Sequence, residues 1–259
     1  MTRARRIVLT GASGGIGQAL AGELASPGVS MLLIGRNATR LTATAEAARS
    51  RGVQAETALI DVRDTEAMAR QLTEFDAATP VDLVIANAGI SIGLLPGQEP
   101  EDRTASRRVL EINYGGALNT IEPLLPTMIR RGSGHIVLMS SLAALRPLPD
   151  MPSYSASKAA IRAYGISLRG WLEPRGVRVT VVSPGFVTSR MSKRHHGFKA
   201  FEVSAEHAAR IIRRGLERNR ALITFPWQLA FGIWLGDWLP PRISDIFARR
   251  FPAEIEPED

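Results

Sequence analysis

A tyrosine and a lysine four residues apart, Tyr154 and Lys158, stand at the head of an apolar-periodic segment that runs to about residue 173. Residues at positions i and i+4 of a helix lie on the same face, so this spacing brings the phenol and the ammonium into one small volume. A lysine held there favours the phenolate and lowers the pKa of tyrosine from about 10 toward neutral pH. The pair predicts a general acid or base, with a solvated helix face as the alternative.

Glycines near the start of the chain point to phosphate binding. A short β-branched run at residues 7–10 is followed by Gly11-Ala12-Ser13-Gly14-Gly15-Ile16-Gly17 and then by a helical pattern. A strand, a glycine turn and a helix start place backbone N–H groups and a positive helix end against a phosphate. Gly11 to Gly15 also match the G-x-S-x-G motif of the nucleophile elbow of a hydrolase, with Ser13 as nucleophile. A match on the first strand, without a histidine placed as its base, argues against that class.

Strand-like and helix-like segments alternate along the chain. Strands are predicted at residues 7–10, 31–34, 81–86, 135–140, 177–183 and 221–225, with one more ending near residue 60. Helices are predicted between them, including one long helix over residues 101–130. This alternation predicts an α/β fold: a single doubly wound domain whose parallel sheet carries helices on both faces and binds ligands at the carboxyl ends of its strands.

Composition narrows the class of protein. The 259 residues are 45% apolar and 22% charged, without an internal linker, which predicts one soluble domain. The lack of cysteine fits a reducing compartment, and we expect the cytoplasm. With no cysteine, a disulfide framework and a thiolate metal site are excluded, and we expect no metal. The net charge of +7 fits a solvated basic face, and we expect no nucleic-acid partner. The arginines near the start precede too short an apolar run for a secretion signal.

Six motifs together resemble those of the short-chain dehydrogenase/reductase family. They occur in the family's order and close to its spacing, over about residues 5–225, and are Thr10-Gly11-x-x-x-Gly15-x-Gly17, Asn87-Ala88-Gly89, Asn113, Ser141, Tyr154-x-x-x-Lys158 and Pro184-Gly185. The resemblance implies a single Rossmann domain with a seven-stranded parallel sheet. It also implies a homodimer or homotetramer, because relatives commonly pair through the long helix and the tyrosine helix.

The resemblance implies a catalytic set of Asn113, Ser141, Tyr154 and Lys158. Tyr154 would protonate a carbonyl oxygen as hydride arrives from the nicotinamide, and Lys158 would lower the tyrosine pKa and bind the nicotinamide ribose. The family's spacing selects Ser141 over Ser140 to orient the carbonyl oxygen. Asn113 is similar to the asparagine that holds a proton-relay water, with a surface polar residue as the alternative.

The resemblance also implies where a dinucleotide binds. The cofactor-binding residues it indicates are Gly11, Ser13, Gly14, Gly15, Ile16, Gly17, Arg36, Asp61, Val62, Asn87, Ala88, Gly89, Tyr154, Lys158, Pro184, Gly185, Val187 and Thr188. The second strand ends in Gly35-Arg36-Asn37 without an acid, which favours NADP(H), with Arg36 on the 2′-phosphate, and leaves NAD(H) as the alternative. Gly14 departs from many NADP-preferring relatives, which carry a basic residue in the glycine loop.

Two segments bear on the substrate. Residues 190–201 fall where the family has its substrate lid, and the adjacent His195 and His196 there are expected to be solvated loop residues rather than metal ligands. The segment 226–259 is predicted to be an apolar, helical extension packed on or beside the domain formed by residues 1–225. Its aromatic side chains at positions 227, 231, 234 and 238 fall on one helix face.

That aromatic face has two interpretations. One is a helix packed over the pocket or at a subunit interface. The other is a membrane-surface contact through residues 226–250 that admits a lipid-like substrate, at the inner face of a membrane. The sequence as a whole predicts an NADP(H)-dependent oxidoreductase that interconverts a carbonyl and an alcohol, with an NADP(H)-binding redox sensor as the alternative.

Overall fold

Seven strands form one parallel sheet in the computed structural model, which describes residues 5–236, 238 and 254–256. They are β1 (Arg6–Thr10), β2 (Ser30–Gly35), β3 (Gln54–Leu59), β4 (Leu83–Ala86), β5 (Gly134–Met139), β6 (Val177–Pro184) and, after a short strand pair described below, β8 (Leu222–Phe225). The order across the sheet is β3-β2-β1-β4-β5-β6-β8, and every neighbouring pair is parallel. The predicted seven-stranded parallel sheet is confirmed.

Helices cover both faces of the sheet, as predicted. They are α1 (Gly15–Leu24), α2 (Ala38–Arg49), α3 (Thr65–Ala78), α4 (Arg103–Leu110), α5 (Gly116–Ile121), α6 (Leu125–Arg131), α7 (Pro152–Leu172), α8 (Arg190–Lys193), α9 (Ala205–Glu217) and α10 (Trp227–Gly236). Alternate residues of a strand point to opposite faces. Leu9 and Leu33 therefore join the core beneath α1, α2 and α9, whereas Val8 and Leu32 join the core beneath α3, α5 and α7.

The predicted long helical segment over residues 101–130 is present, but it is not one regular α-helix, because it is interrupted twice. Residues Glu111–Gly115 form a π-helical turn between α4 and α5, and residues 122–124 separate α5 from α6. Pro123 explains the second interruption, since proline has no N–H to donate and clashes with the preceding turn. The following N–H of Leu124 bonds back only three residues, to the Ile121 carbonyl at 3.0 Å. The π-helical turn contains Asn113, and such turns are frequent at functional sites.

A second, two-stranded sheet joins the lid to the end of the chain. β7 (His195–His196) pairs antiparallel with β9 (Glu254–Ile255). The helix α10 begins the predicted helical tail. The sequence also predicts a second helical stretch after it, with Arg242, Arg249 and Arg250, and this stretch lies outside the described residues. The division at residue 225 stays a prediction. Among the described residues, no helix combines the length and the apolar composition that crossing a bilayer requires.

Candidate active site

A cleft of about 1880 Å³ opens at the carboxyl ends of the strands. It lies where the strand order reverses, between β1 and β4, which is the place where doubly wound sheets bind ligands. Most residues that the sequence predicted for the site line this cleft: Gly11, Ser13, Gly14, Gly15, Ile16, Gly17, Arg36, Val62, Asn87, Ala88, Gly89, Ser141, Tyr154, Lys158, Pro184, Gly185, Val187 and Thr188. The two predicted residues outside this lining are Asp61 and Asn113.

The glycine loop is held in place by its neighbours on β1 and β4. Buried Thr10 accepts hydrogen bonds from the N–H groups of Asn87 and Ala88 at 3.1 and 3.3 Å. Asn87 in turn donates its side-chain amide to the carbonyls of Thr10 and Gly11 at 3.0 and 3.3 Å. Asn87 was predicted to line the cofactor site. It does line the cleft, and its amide also fixes the loop.

The loop leaves the start of α1 accessible to an anion. A Cβ at Gly17 would lie 2.1 Å from the Gly11 carbonyl oxygen, so only glycine allows the helix to start this close to the loop. In the part of the chain that the structure describes, no side chain caps α1 at Gly14. Backbone N–H groups at an uncapped helix start favour a phosphate. These residues fit the pyrophosphate of a dinucleotide.

Two arginines stand at the end of β2. Arg36 lies 3.9 Å from the carboxylate of Asp61, and Arg40, one helical turn further on, donates its Nε to the Ser13 carbonyl at 3.2 Å. Asn37 caps α2 by accepting the N–H of Arg40 at 2.9 Å, which fixes the first turn of this helix. Arg36, Asn37 and Arg40 all line the cleft. This end of the cleft is therefore positively charged and fits a phosphate.

Asp61 and Val62 were both predicted to bind the cofactor, but only Val62 lies in the lining of the cleft. Val62 lines the cleft, whereas Asp61 binds Arg63 through two hydrogen bonds, at 3.1 Å to Nε and 2.8 Å to Nη2. The hydrogen bond from Arg63 is the main cause that holds the pKa of Asp61 below its usual range, against the effect of its burial. Asp61 thus stays ionised and balances part of the charge of Arg36.

The predicted proton donor and its neighbours meet in the middle of the cleft. The hydroxyl of Ser141 lies beside the phenol of Tyr154 and lowers its pKa. The ammonium of Lys158 lies 5.8 Å from the centre of the Tyr154 ring and donates to the carbonyl of Met139 at 3.0 Å. The i and i+4 spacing on α7 therefore brings the tyrosine and the lysine to the same site, with the end of β5 beside them.

The pKa of the tyrosine shifts opposite to the prediction. Burial raises the pKa of Tyr154, and the hydrogen bond from Ser141 only partly offsets that rise. Burial also lowers the pKa of Lys158, to about 8. The expectation that the lysine would lower the tyrosine pKa is wrong for this arrangement, because the desolvation of the phenolate dominates and the ammonium bonds to the Met139 carbonyl. The phenol therefore keeps its proton at neutral pH.

The two adjacent serines do different things. Ser140 is buried and donates to the Lys158 carbonyl at 2.8 Å, which ties the end of β5 to α7. Ser141 is partly exposed, accepts the N–H of Ala143 at 3.1 Å and contacts the phenol. The hydroxyl of Ser141 is thus the one beside Tyr154.

Asn113 is a buried connector. Its Oδ1 accepts the N–H of Ile90 at 2.8 Å, and its Nδ2 donates to the Ile90 carbonyl at 3.0 Å and to the Ser157 hydroxyl at 2.9 Å. The alternative of a surface residue is wrong, because Asn113 is fully buried. Its side chain links the loop after β4 to α7 beside Lys158. A Cβ at Gly89 would stand 3.3 Å from the Lys158 ammonium, so glycine lets that loop come close.

The far end of the cleft is mainly apolar. Its apolar lining residues are Leu142, Ala143, Leu148, Met151, Phe186, Met191, Leu229 and Ile233. Charged and ionisable side chains also line the cleft here: Arg146, Arg190, Lys193, Arg194, His195 and Glu256. Arg194 donates to the backbone carbonyl of Glu256 at 3.1 Å. An apolar wall around a few polar groups is typical of a small-molecule site.

The two histidines of the lid have different surroundings, and the expectation that both are solvated is wrong for His195. Its ring is buried and lies 4.9 Å from the ring of Phe186, and this burial lowers its pKa. His196 is exposed and pairs with the carboxylate of Glu256 at 2.8 Å. Among the described residues, no group of three or more histidine and acidic side chains could hold a metal ion.

Comparison with known proteins identifies the family. The profile of the short chain dehydrogenase family matches residues 5–198. The chain belongs to the short-chain dehydrogenase family. Over 247 residues this dehydrogenase is 37% identical to an uncharacterized oxidoreductase of Myxococcus xanthus, covering 95% of this chain and 97% of that protein. Family membership makes the chain an NAD(P)-dependent dehydrogenase or reductase.

Solved structures agree with that assignment. NAD⁺-bound xylitol dehydrogenase is 30% identical to this short-chain dehydrogenase and superposes with a TM-score of 0.68 over 73% of each chain. A short-chain dehydrogenase from Sphingobium yanoikuyae in complex with NADPH has a TM-score of 0.77, covering 91% of this chain and 96% of that one. At 23% identity, the second comparison supports the fold alone.

Sequence reasoning missed several residues of this dehydrogenase's cleft. Arg40 follows Arg36 by four residues, and that helical spacing could have indicated a second guanidinium at the end of β2. Leu229 and Ile233 have the same spacing on α10 and line the apolar end of the cleft. The aromatic side chains at positions 227, 231 and 234 lie on the other face of this helix.

Proposed function

We propose that this dehydrogenase uses NADPH to reduce the carbonyl of an apolar ketone or aldehyde to an alcohol, and that Tyr154 supplies the proton. The observation that carries the proposal is that the phenol of Tyr154, the hydroxyl of Ser141 and the ammonium of Lys158 meet in one cleft, with the ammonium 5.8 Å from the centre of the Tyr154 ring. NADPH, when bound, supplies the hydride. A carbonyl oxygen that approaches the two hydroxyl groups can accept a hydrogen bond from each, which stabilises the negative charge that develops on it.

The direction of the pKa shift supports reduction. Because burial raises the pKa of Tyr154, the phenol is protonated at neutral pH and ready to donate. When the proton leaves, the hydroxyl of Ser141 remains beside the phenolate and stabilises its charge. The alcohol carries the proton away, and the phenol is restored from solvent through the open cleft.

The preference for NADPH rests on charge at the end of β2. NAD-specific dinucleotide sites use an acidic residue there to bind the ribose 2′-hydroxyl, whereas an arginine accommodates a 2′-phosphate. Here Arg36 follows the strand, and Arg40 stands one turn further along the same side of the cleft. Arg40 comes from α2 and could serve in place of the basic residue that other NADP-preferring relatives carry in the glycine loop.

The cofactor preference is tested by comparing kcat/KM for NADPH and NADH in the wild type and in Arg36→Asp. We expect the wild type to prefer NADPH and the substitution to move the ratio toward NADH by about tenfold or more, since a charge-assisted hydrogen bond contributes about 1.5–3 kcal/mol. A wild-type preference for NADH would end the proposal about the cofactor but not the one about the reaction.

The substrate class is tested with a panel of ketones and aldehydes of increasing chain length. NADPH oxidation is followed for each compound, with Tyr154→Phe as the matched variant that lacks only the hydroxyl. We expect kcat/KM to rise with apolar chain length, because the far end of the cleft is lined by aliphatic and aromatic side chains. Turnover that is equally fast in Tyr154→Phe would refute the proton-donor role.

A further inference from the structure

The helix α10 exposes more apolar surface than an ordinary solvated helix. Its ten residues, Trp-Gln-Leu-Ala-Phe-Gly-Ile-Trp-Leu-Gly, include no charged side chain. The side chains of Trp227, Phe231, Trp234 and Trp238, here called the aromatic face, are between 56% and 76% exposed. The rings of Phe231, Trp234 and Trp238 form a continuous row, with centres 5.8 Å apart from Phe231 to Trp234 and 6.4 Å apart from Trp234 to Trp238. Exposed apolar surface of this extent marks an interaction site.

The lid extends this surface. Phe201 and Trp227 line one shallow hollow of about 500 Å³, which connects the lid to the start of α10. Phe198, three residues earlier on the lid, is 67% exposed. Two separate parts of the chain therefore present large aromatic side chains around the same end of the molecule.

The opposite face of α10 belongs to the active-site cleft. Leu229 and Ile233 line its apolar end, and a Cβ at Gly185 would lie 3.5 Å from Leu229. The helix α10 thus lies between the cleft, which one of its faces lines, and the solvent, to which it exposes the aromatic face. Whatever covers the aromatic face lies next to the apolar end of the cleft.

Charge indicates what covers the aromatic face. Residues 190–220, which include the lid and α9, contain nine lysine and arginine residues against three glutamates, a surplus of six in a chain whose net charge is +7. A second copy bound by the same face would bring this surplus against itself, because a two-fold interface places the same patch on both sides. An anionic lipid surface complements the charge instead, and tryptophan favours the boundary between headgroups and acyl chains.

We propose that the aromatic face docks the enzyme on an anionic phospholipid bilayer, with α10 lying in the interface. The rings of Trp227, Phe231 and Trp234 enter the headgroup boundary, and the surplus of basic residues in the lid and α9 attracts the protein to the anionic surface. Docking in this orientation brings the apolar end of the cleft to the bilayer surface. The proposal concerns binding alone and does not depend on which carbonyl is reduced.

Sedimentation with vesicles tests the docking. The full-length protein is mixed with vesicles of phosphatidylcholine alone or of phosphatidylcholine and phosphatidylglycerol in equal parts. We expect binding to the mixed vesicles, weakened by salt because screening reduces the attraction between exposed charges. Lipids brominated along the acyl chain should quench the tryptophan fluorescence of the bound wild-type protein, a measurement that needs no substitution.

The variant Phe231→Gln/Trp234→Gln removes two rings that are already exposed to solvent. We expect its partition coefficient onto mixed vesicles to fall at least about tenfold, given the apolar area that two aromatic rings bury. Trp171→Gln is the matched control, since Trp171 is similarly exposed but lies near the other end of α7. It follows Tyr154 by 17 residues, or about 25 Å of helix. The control should bind like the wild type.

Three results would overturn the docking proposal. The first is a wild-type protein that does not sediment with mixed vesicles at low salt. The second is binding to vesicles that the double variant retains in full, without quenching by brominated lipid in the wild type. The third is a wild-type dimer that the double variant converts to monomer while neither protein binds vesicles, which would assign the aromatic face to a second copy. If the double variant does not fold, quenching in the wild type decides.

Discussion

Replacing Asn113 by alanine tests whether its amide holds the framework of the site. The substitution removes three hydrogen bonds, two to the backbone of Ile90 and one to Ser157. Ile90 is itself buried, so its N–H and carbonyl would be left without these partners. At about 1–3 kcal/mol for each buried group left unpaired, Asn113→Ala should lower the free energy of unfolding by about 2–6 kcal/mol. Ser157 adds little, because its hydroxyl still donates to the Tyr154 carbonyl at 2.7 Å.

The assay is urea unfolding followed by circular dichroism, with Ser157→Ala as the control. That control removes one of the three partners of Asn113 and should cost about 1 kcal/mol. The reasoning is refuted if Asn113→Ala loses less than about 1 kcal/mol of stability while NADPH oxidation collapses. Such a result would assign the amide to the reacting groups instead of to the connection between the loop after β4 and α7.

Three further predictions concern charge. Arg40→Ala should raise KM for NADPH about tenfold with little change in KM for NADH, because a charge-assisted hydrogen bond to the 2′-phosphate is lost. Equal effects on the KM of both cofactors would instead indicate damage to the loop around Ser13, whose carbonyl Arg40 binds. With the pKa of Lys158 lowered to about 8, kcat/KM for reduction should decline above about pH 8 as the ammonium loses its proton, and a profile that is unchanged in Lys158→Arg would speak against this origin. His135, buried against Thr180 with a pKa lowered to about 3, stays neutral in the folded state while the unfolded chain takes up a proton below about pH 6.5. The free energy of unfolding should therefore keep its full value above pH 6.5 and fall by about 2 kcal/mol as the pH is lowered to about 5. Urea unfolding at a series of pH values should show this fall in the wild type and a smaller one in His135→Gln.

Much of the fold could be predicted because its signals are local. Short β-branched runs separated by helical periodicity indicate parallel strands with crossovers. The glycine loop and the pair of Tyr154 and Lys158 on α7 can likewise be recognised from residues that are close together in the sequence. The break in the predicted long helix had a local signal too, since Pro123 cannot continue a helix. The π-helical turn at Asn113 had none, because it depends on the contacts that the amide makes with Ile90 and Ser157.

Other features of the site depend on long-range contacts and solvation. His195 is buried with β9 paired alongside it, and about 60 residues of sequence separate the two strands of that pair. The direction of the Tyr154 pKa shift is set by desolvation in the assembled cleft, which spacing along one helix does not reveal. Arg40 belongs to the site because its guanidinium turns toward the Ser13 carbonyl, a contact between α2 and the glycine loop.

Following the hydride itself tests the proposed reaction most directly. The full-length protein is incubated with NADPH deuterated at C4 of the nicotinamide, on the face that is transferred, and with the best ketone of the panel; the product is then analysed by mass spectrometry and NMR. We expect one deuterium on the carbinol carbon of the alcohol, formed about 100-fold or more slowly by Tyr154→Phe because that variant lacks the proton donor. An alcohol without deuterium, or one formed equally fast by Tyr154→Phe, would contradict hydride transfer with Tyr154 as the acid.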